Sequence, residues 1–182
     1  LIGLSLGLMG GGGSILTVPV LVYALKMEPK SAIALSLAIV GLTSLIGSIS
    51  HFRAKNINLK VALVFGSIAM AGTYLGTKIS VLMSGTTQLT LFAVIMFMAS
   101  IFMFKGRKNQ RDEQTSVKLN YLLIIVVGLF VGVLTGLVGV GGGFMIVPAL
   151  VLIARIPMKQ AIGTSLLIIS LNSLTGFTGY IG

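Results

Sequence analysis

The chain contains no cysteine and no tryptophan, and it has only three acidic residues, one histidine and four prolines among its 182 residues. The absence of cysteine excludes a disulfide framework, a thiolate metal site and a cysteine nucleophile. Three carboxylates (Glu28, Asp112 and Glu113) and His51 are too few for a metal cage or for catalysis by paired carboxylates. We therefore expect no metal, no cofactor and no enzymatic activity.

Charged residues of both signs are also scarce. They make up 9% of the chain, against about 25% in soluble domains. Hydrophobic residues make up 55%, and the mean hydropathy is +1.08. Several apolar runs reach the length of about 20 residues that a membrane-crossing helix needs. These features predict an all-α integral membrane protein that crosses a lipid bilayer several times.

The net charge of +10 does not indicate a nucleic-acid partner, because the 13 lysines and arginines lie in short loops or at the edges of apolar runs. If each apolar run crosses once, loops 51–60 and 105–118 share one side and hold eight basic residues. The opposite loops hold five, including Arg155 and Lys159. The positive-inside rule then places the first set in the cytoplasm.

The sequence contains an internal repeat. Leu1–Arg53 aligns with Phe130–Gly182 without a gap, at an offset of 129 residues and with 20 identities in 53 pairs, which include six glycine pairs and one proline pair. We predict a duplicated four-helix repeat with glycine-broken helices, its second copy truncated. Residues 1–104 form the first transmembrane repeat, 105–118 a basic cytoplasmic loop and 119–182 the incomplete second repeat. Four crossings per copy would make the copies parallel.

One apolar segment is too long for a single crossing. Tyr121–Ala154 has 34 residues and would measure about 50 Å as a straight helix, against a hydrocarbon core of about 30 Å. The segment must tilt, break or re-enter.

Glycine clusters interrupt the first helix of each copy. Because glycine disfavours helix and backbone freed inside a membrane needs partners, we expect these breaks to be buried or to line a cavity. The helices that restart there present unpaired amides and the positive end of a dipole, which can bind an anion. Discontinuous helices in paired repeats are typical of transporter binding sites. The candidate binding residues are Gly10, Gly11, Gly12, Gly13, Ser14, Gly139, Gly141, Gly142 and Gly143.

Close helix packing is the alternative role for these glycines, and we assign it to the pairs Gly3/Gly7 and Gly132/Gly136. The following helix has a polar face, which in the first copy has Ser44 beside it and in the second includes Ser173. The candidates on it are Ser36 and Thr43 in the first copy, and Ser165 and Asn172 in the second. Serine and threonine can instead bond carbonyls of their own helix, so both roles remain open. No acidic residue lies in an apolar run, which argues against a cation substrate or a carboxylate proton relay.

These motifs resemble the sulfite exporter TauE/SafE family. The second copy reads GVGGGFMIVPALV and then AIGTSLL, while the first reads GGGGSILTVPVLV and then AIALSLA, in which Ala34 and Leu35 replace Gly-Thr. The basic loop HFRAKNIN also matches. The resemblance implies a plasma-membrane permease for sulfite, sulfonates or related organosulfur anions. It also implies that Gly10–Gly13, Gly139–Gly143, Thr164 and Ser165 contact the substrate.

The glycine breaks predict a secondary transporter that binds a small anion between two glycine-broken helices, and the resemblance implies that this anion contains sulfur. A non-transporting membrane assembly partner or an anion sensor is the alternative. Assembly into a homo-oligomer remains open.

Overall fold

The computed structural model describes residues 14–106, 121–139, 142–152 and 156–181, and all regular structure in these ranges is helical. Helix α1 (Ser14–Pro19) continues into a π-helical turn, Val20–Ala24. The remaining helices are α2 (Pro29–Arg53), α3 (Leu59–Val81), α4 (Gly85–Gly106), α5 (Tyr121–Val138), α6 (Gly143–Leu152) and α7 (Met158–Ile181). The predicted all-α class is confirmed.

Three of these helices are long and apolar enough to cross a membrane: α2, α3 and the Met158–Tyr180 part of α7. Their ends follow local sequence signals. Pro29 opens α2 at a position where its missing N–H costs no hydrogen bond. The Asn58 side chain caps α3 by accepting a hydrogen bond from the Val61 amide at 3.3 Å. Large apolar side chains also cover the outside of the bundle, as expected for helices that face lipid; Ile46 and Leu63 are each 70% exposed.

Glycines bring the backbones of α3 and α5 into direct contact. A Cβ atom at Gly72 would lie 2.6 Å from the carbonyl oxygen of Leu129, and one at Gly136 would overlap the carbonyl oxygen of Thr73. The Thr73 hydroxyl donates to the Gly132 carbonyl at 3.1 Å across the same interface. The packing role predicted for Gly132 and Gly136 is therefore confirmed, whereas Gly3 and Gly7 lie outside the described residues.

Helices α2 and α7 cross in opposite directions. Gly47 lies against Leu166, with its Cβ position 3.5 Å from the leucine side chain, and Gly176 lies against Leu37 at 3.2 Å. Residue numbers therefore rise along one helix as they fall along the other. These helices are equivalent in the sequence repeat, so the expectation of parallel copies is wrong for this pair.

The reversal arises in the long segment that begins at Tyr121, which forms a helical hairpin. Helix α5 runs to the end of the bundle where α2 begins, and Gly139 there contacts Ile33. Helix α6 returns, since Gly163, six residues into α7, lies against Asn56 in the loop between α2 and α3 at the opposite end of the bundle. The segment thus breaks and doubles back, so it adds no net crossing.

The hairpin also changes which charges lie together. Helix α7 begins beside the loop between α2 and α3, because a Cβ atom at Gly163 would overlap the Asn56 carbonyl. Lys159 therefore lies at the same end as Arg53, which corrects the prediction that it lies opposite; Arg155 is outside the described residues. We call this end, where α2 ends and α3 and α7 begin, the basic end.

Candidate functional site

Two glycines with left-handed backbone form the turn between α5 and α6. Gly139 has φ +71° and its amide donates to the Thr135 carbonyl at 2.8 Å, which ends α5. Gly142 has φ +65°, and its carbonyl accepts from the amides of Met145 and Ile146 at 2.9 and 3.0 Å, which begins α6. Residues with a side chain rarely adopt this conformation, so the turn depends on glycine at both positions.

A serine of α2 holds this turn from the side. The Ser36 hydroxyl lies 2.6 Å from the Gly139 carbonyl oxygen and 2.8 Å from that of Ile33, and Ser36 is fully buried. Its single hydrogen is shared between a carbonyl of its own helix and one at the end of α5, where carbonyls lack intrahelical partners. The structure thus brings together two predicted site residues, Ser36 and Gly139, from sequence segments 103 residues apart.

Two further candidates lie near the basic end of α7, and both are fully buried. The Thr164 hydroxyl accepts a hydrogen bond from the Asn58 amide at 2.9 Å, which joins α7 to the start of α3. The Ser165 hydroxyl donates to the Ile162 carbonyl of its own helix at 2.8 Å. Thr164 lies beside the loop between α2 and α3, whereas Gly139 lies beside Ile33 towards the other end of the bundle.

The candidates in the middle of the bundle differ in their hydrogen bonding. The Thr43 hydroxyl lies 2.7 Å from the Ile39 carbonyl oxygen and 3.2 Å from that of Val40, so it bonds its own helix. Asn172 is fully buried, and neither its side-chain oxygen nor its nitrogen has a hydrogen-bond partner within the described part of the chain.

Ser44 and Ser173 accompany Asn172, and we call these three residues the central polar cluster. All three are fully buried, and among the described residues neither serine hydroxyl has a partner. A Cβ atom at Gly41, one turn before Ser44, would lie 3.3 Å from the Ser173 Cβ atom, so the cluster lies where α2 and α7 cross. A buried polar group without a partner lowers the stability of the fold by about 1–3 kcal/mol, so three such side chains at one crossing indicate a functional role.

The remaining candidates are only partly visible. Gly10, Gly11, Gly12, Gly13 and Gly141 lie outside the described residues. Ser14 begins α1, and only its backbone is described. Gly143 is the first residue of α6 and is buried.

Several polar residues of this structure were not singled out from the sequence as candidates. Ser44 and Ser173 lie on the predicted polar faces, and their equivalence in the repeat was the available signal. Gln88 is almost fully buried in α4 and donates to the Ser80 carbonyl, while the Ser80 hydroxyl bonds the Tyr180 hydroxyl at 2.7 Å. This second group joins α3, α4 and α7 at the end opposite the basic end. The sequence feature that could have indicated it is a glutamine at the start of an apolar run.

The surroundings of the central polar cluster are neutral. No ionisable side chain lies on α2 between Lys30 and His51, on α3 between Lys60 and Lys78 apart from the Tyr74 phenol, or on α7 between Lys159 and Tyr180. In the described ranges, no group of three histidine, cysteine, aspartate or glutamate residues is arranged to hold a metal ion. Hydroxyl and amide groups can bind a small polar or anionic molecule through hydrogen bonds.

The chain is similar to known membrane transporter proteins. The model of the sulfite exporter TauE/SafE family matches residues 1–182. A probable membrane transporter protein of Xylella fastidiosa is 34% identical over 99% of this chain and 70% of its own length. The probable membrane transporter protein YdhB of Bacillus subtilis is 27% identical over 100% of this chain and 75% of its own. No solved structure matches.

Proposed function

Because the chain belongs to the sulfite exporter TauE/SafE family, we propose that it is a secondary transporter for a small sulfur-containing anion such as sulfite, a sulfonate or a related organosulfur compound. The family consists of membrane transporters, and the relatives carry transporter names. The protein would cross the plasma membrane several times, with the anion bound between its two glycine-broken helices.

The observation that carries this proposal is the glycine turn inside the helical bundle. Helix α6 begins there, and the first amides of a helix lack intrahelical acceptors and carry a partial positive charge. Gly143 has no side chain to keep a ligand from this backbone, whereas the Thr135 hydroxyl occupies the side-chain position of Gly142. The sequence repeat gives the first copy an equivalent cluster, Gly10–Gly13. Two such helix starts would attract an anion without any lysine or arginine.

The contacts between α2 and α7 support a paired arrangement of the two copies. Adding the repeat offset of 129 residues to Gly47 and Leu37 gives Gly176 and Leu166, and these residues make the exchanged contacts Gly47–Leu166 and Gly176–Leu37. Such reciprocity is expected when two equivalent helices are related by a two-fold axis. With α2 and α7 antiparallel, the copies would form an inverted repeat. Rocking of one copy against the other would then open the site to each side in turn.

The distribution of charge supports an orientation with the basic end in the cytoplasm. Arg53, Lys55, Lys60 and Lys159 lie at this end, and α4 ends and α5 begins there. Basic residues concentrate in cytoplasmic loops of membrane proteins. The loop 105–118 would then be cytoplasmic as well.

Transport by glycine variants of the full-length protein in proteoliposomes tests this proposal. Gly142→Ala places a side chain at left-handed backbone and against the Thr135 hydroxyl, so we expect loss of labelled sulfite flux. Gly128→Ala is the control on α5, because its Cβ would meet the Phe65 carbonyl oxygen at an ordinary 3.5 Å.

Folding of both variants is checked by their elution from a sizing column and their helical circular dichroism. Flux that is lost in folded Gly142→Ala and kept in Gly128→Ala supports the transporter. A folded wild-type protein that binds sulfite but moves none would instead be the anion sensor. One that neither binds nor moves sulfur anions would be an assembly partner.

A further inference from the structure

The central polar cluster lies at the middle of the two helices that cross at the core of the bundle. Ser44 is the sixteenth residue of the 25-residue α2, and Asn172 is the fifteenth residue of α7. On α7, Asn172 lies one turn before Gly176, which contacts Leu37 of α2 and Thr73 of α3. The cluster therefore faces the junction of three helices at mid-depth, where transporter substrates bind.

Two hydrogen bonds between helices lie on either side of this cluster along the bundle, one towards each end. Ser36 bonds Gly139 eight residues before Ser44, or roughly 12 Å along α2. Thr164 bonds the Asn58 amide eight residues before Asn172, at a similar distance along α7. The cluster thus lies about halfway between these two contacts, which makes it the interior of the site rather than its entrance.

The polar atoms of the cluster have no hydrogen-bond partner among the described residues, so their hydrogen bonds are free to be made with a ligand. Two hydroxyls and one amide NH2 provide four N–H and O–H hydrogens that can point to oxygen atoms of an anion. Side chains that serve only to pack two helices would satisfy these groups internally, as Thr43 and Ser170 do with carbonyls of their own helices.

The absence of ionised side chains along these stretches of α2, α3 and α7 restricts the charge of such a ligand. The cost of moving an ion out of water rises with the square of its charge, so a dianion costs about four times as much as a monoanion of equal size. Neutral donors offset part of this cost, but they supply no countercharge.

We infer that Ser44, Asn172 and Ser173 form a further binding site on the path of the anion, at the crossing of α2 and α7 and inward of the glycine turn, and that this site takes a singly charged oxyanion, a sulfonate or hydrogensulfite, in preference to a dianion. The inference rests on the proposed transport function and adds to it the binding residues and the charge of the substrate.

Competition between anions tests the charge preference. Proteoliposomes with the full-length protein take up labelled sulfite in the presence of methanesulfonate, a permanent monoanion, or sulfate, a dianion. We expect methanesulfonate to compete and sulfate to compete at least tenfold more weakly. Sulfite loses its second proton near neutral pH, so its apparent affinity should fall from mildly acidic to mildly alkaline pH, while that of methanesulfonate stays constant. Equal competition by sulfate, or no fall for sulfite, overturns the inference but leaves transport intact.

Substitutions in the cluster test the residues. Ser173→Ala and Asn172→Leu each remove polar groups that have no described partner, so the thermal stability should be unchanged or higher. The apparent affinity for methanesulfonate should fall at least fivefold in Ser173→Ala and at least tenfold in Asn172→Leu. The matched control is Ser170→Ala, which removes an equally buried hydroxyl of α7 that bonds the Leu167 carbonyl. Its affinity should equal that of the wild type.

Three outcomes would overturn the assignment. Wild-type affinity in Ser173→Ala shows that the cluster holds only water or only packs. Equal losses in Ser173→Ala and Ser170→Ala show a general effect of the helix. If Asn172→Leu does not fold, Ser44→Ala takes its place and should lose affinity at least fivefold, and wild-type affinity in that variant again contradicts the inference.

Discussion

Replacing Gly72 by alanine tests how closely α3 and α5 must approach. The new Cβ atom would lie 2.6 Å from the carbonyl oxygen of Leu129 and 3.0 Å from the amide nitrogen of Val133, both backbone atoms. Carbon–oxygen contacts normally measure about 3.3–3.6 Å, so the helices must separate by about 0.7–1.0 Å. A gap of that size forfeits a quarter to a half of the dispersion attraction across the contact.

Gly66→Ala is the matched control, because it makes the same change in the same helix. Its Cβ atom would meet the side chains of Ile168 and Leu171, at 3.8 and 4.0 Å. Both variants gain the same helix propensity, about 1 kcal/mol, so the difference between them isolates the strain. Overpacking typically costs about 1–3 kcal/mol. At about 2–4 °C per kcal/mol, Gly72→Ala should unfold about 2–12 °C below Gly66→Ala.

The measurement is the loss of helical circular dichroism on heating, with both proteins in the same detergent. A Gly72→Ala protein as stable as Gly66→Ala would refute the close backbone contact. An equal loss in both variants would likewise show a general effect of alanine in α3 rather than strain against α5, because the Gly66 Cβ atom would face side chains of α7 at ordinary distances.

Three more substitutions probe the hydrogen bonds and the turn around the site. Ser36→Ala removes the tie to the Gly139 carbonyl and should lower the unfolding free energy by about 1 kcal/mol, measured by chemical unfolding in micelles. Thr164→Val leaves the Asn58 amide without its acceptor and should lower it by a similar amount, while faster hydrogen exchange at that amide identifies the cause. Gly139→Ala forces left-handed backbone at about 1–2 kcal/mol and overlaps Ile33, so its melting temperature should fall more than that of Ser36→Ala. Wild-type values in any of these assays contradict the corresponding contact.

Much of the helical architecture could be predicted from the sequence, because it depends on local patterns. Apolar runs separated by basic loops predicted the helices α2, α3 and α7, and their bounds follow caps such as Asn58 and Pro29. The spacing of Gly132 and Gly136 predicted a close helix contact, which the structure places against α3. Each of these patterns involves residues of one helix, so it can be recognised in the sequence without knowledge of the tertiary contacts.

The direction of the chain after the glycine break could not be predicted in the same way. Glycine allows a helix to continue, bend or reverse, and the choice depends on tertiary contacts such as that between Ser36 and Gly139. The sequence alone left all three open for the segment that begins at Tyr121. Assuming one crossing there placed Lys159 at the wrong end of the bundle.

The candidate site was predictable in its kinds of residues but not in their partners. Serine, threonine and asparagine on an apolar helix indicate a polar interior, yet the sequence does not distinguish Thr43, which bonds its own helix, from Ser44, which has no partner in the described chain. Adjacent helical positions face about 100° apart, and the neighbouring helices decide which of them is satisfied.

The position of a bound anion tests the central claim most directly. We predict that a structure of the full-length protein with methanesulfonate shows the sulfonate group at the crossing of α2 and α7. Its oxygen atoms should lie about 2.7–3.2 Å from the Asn172 amide nitrogen and the Ser173 hydroxyl. An anion bound only at the basic loops, or no bound anion at saturating concentration, would contradict the account.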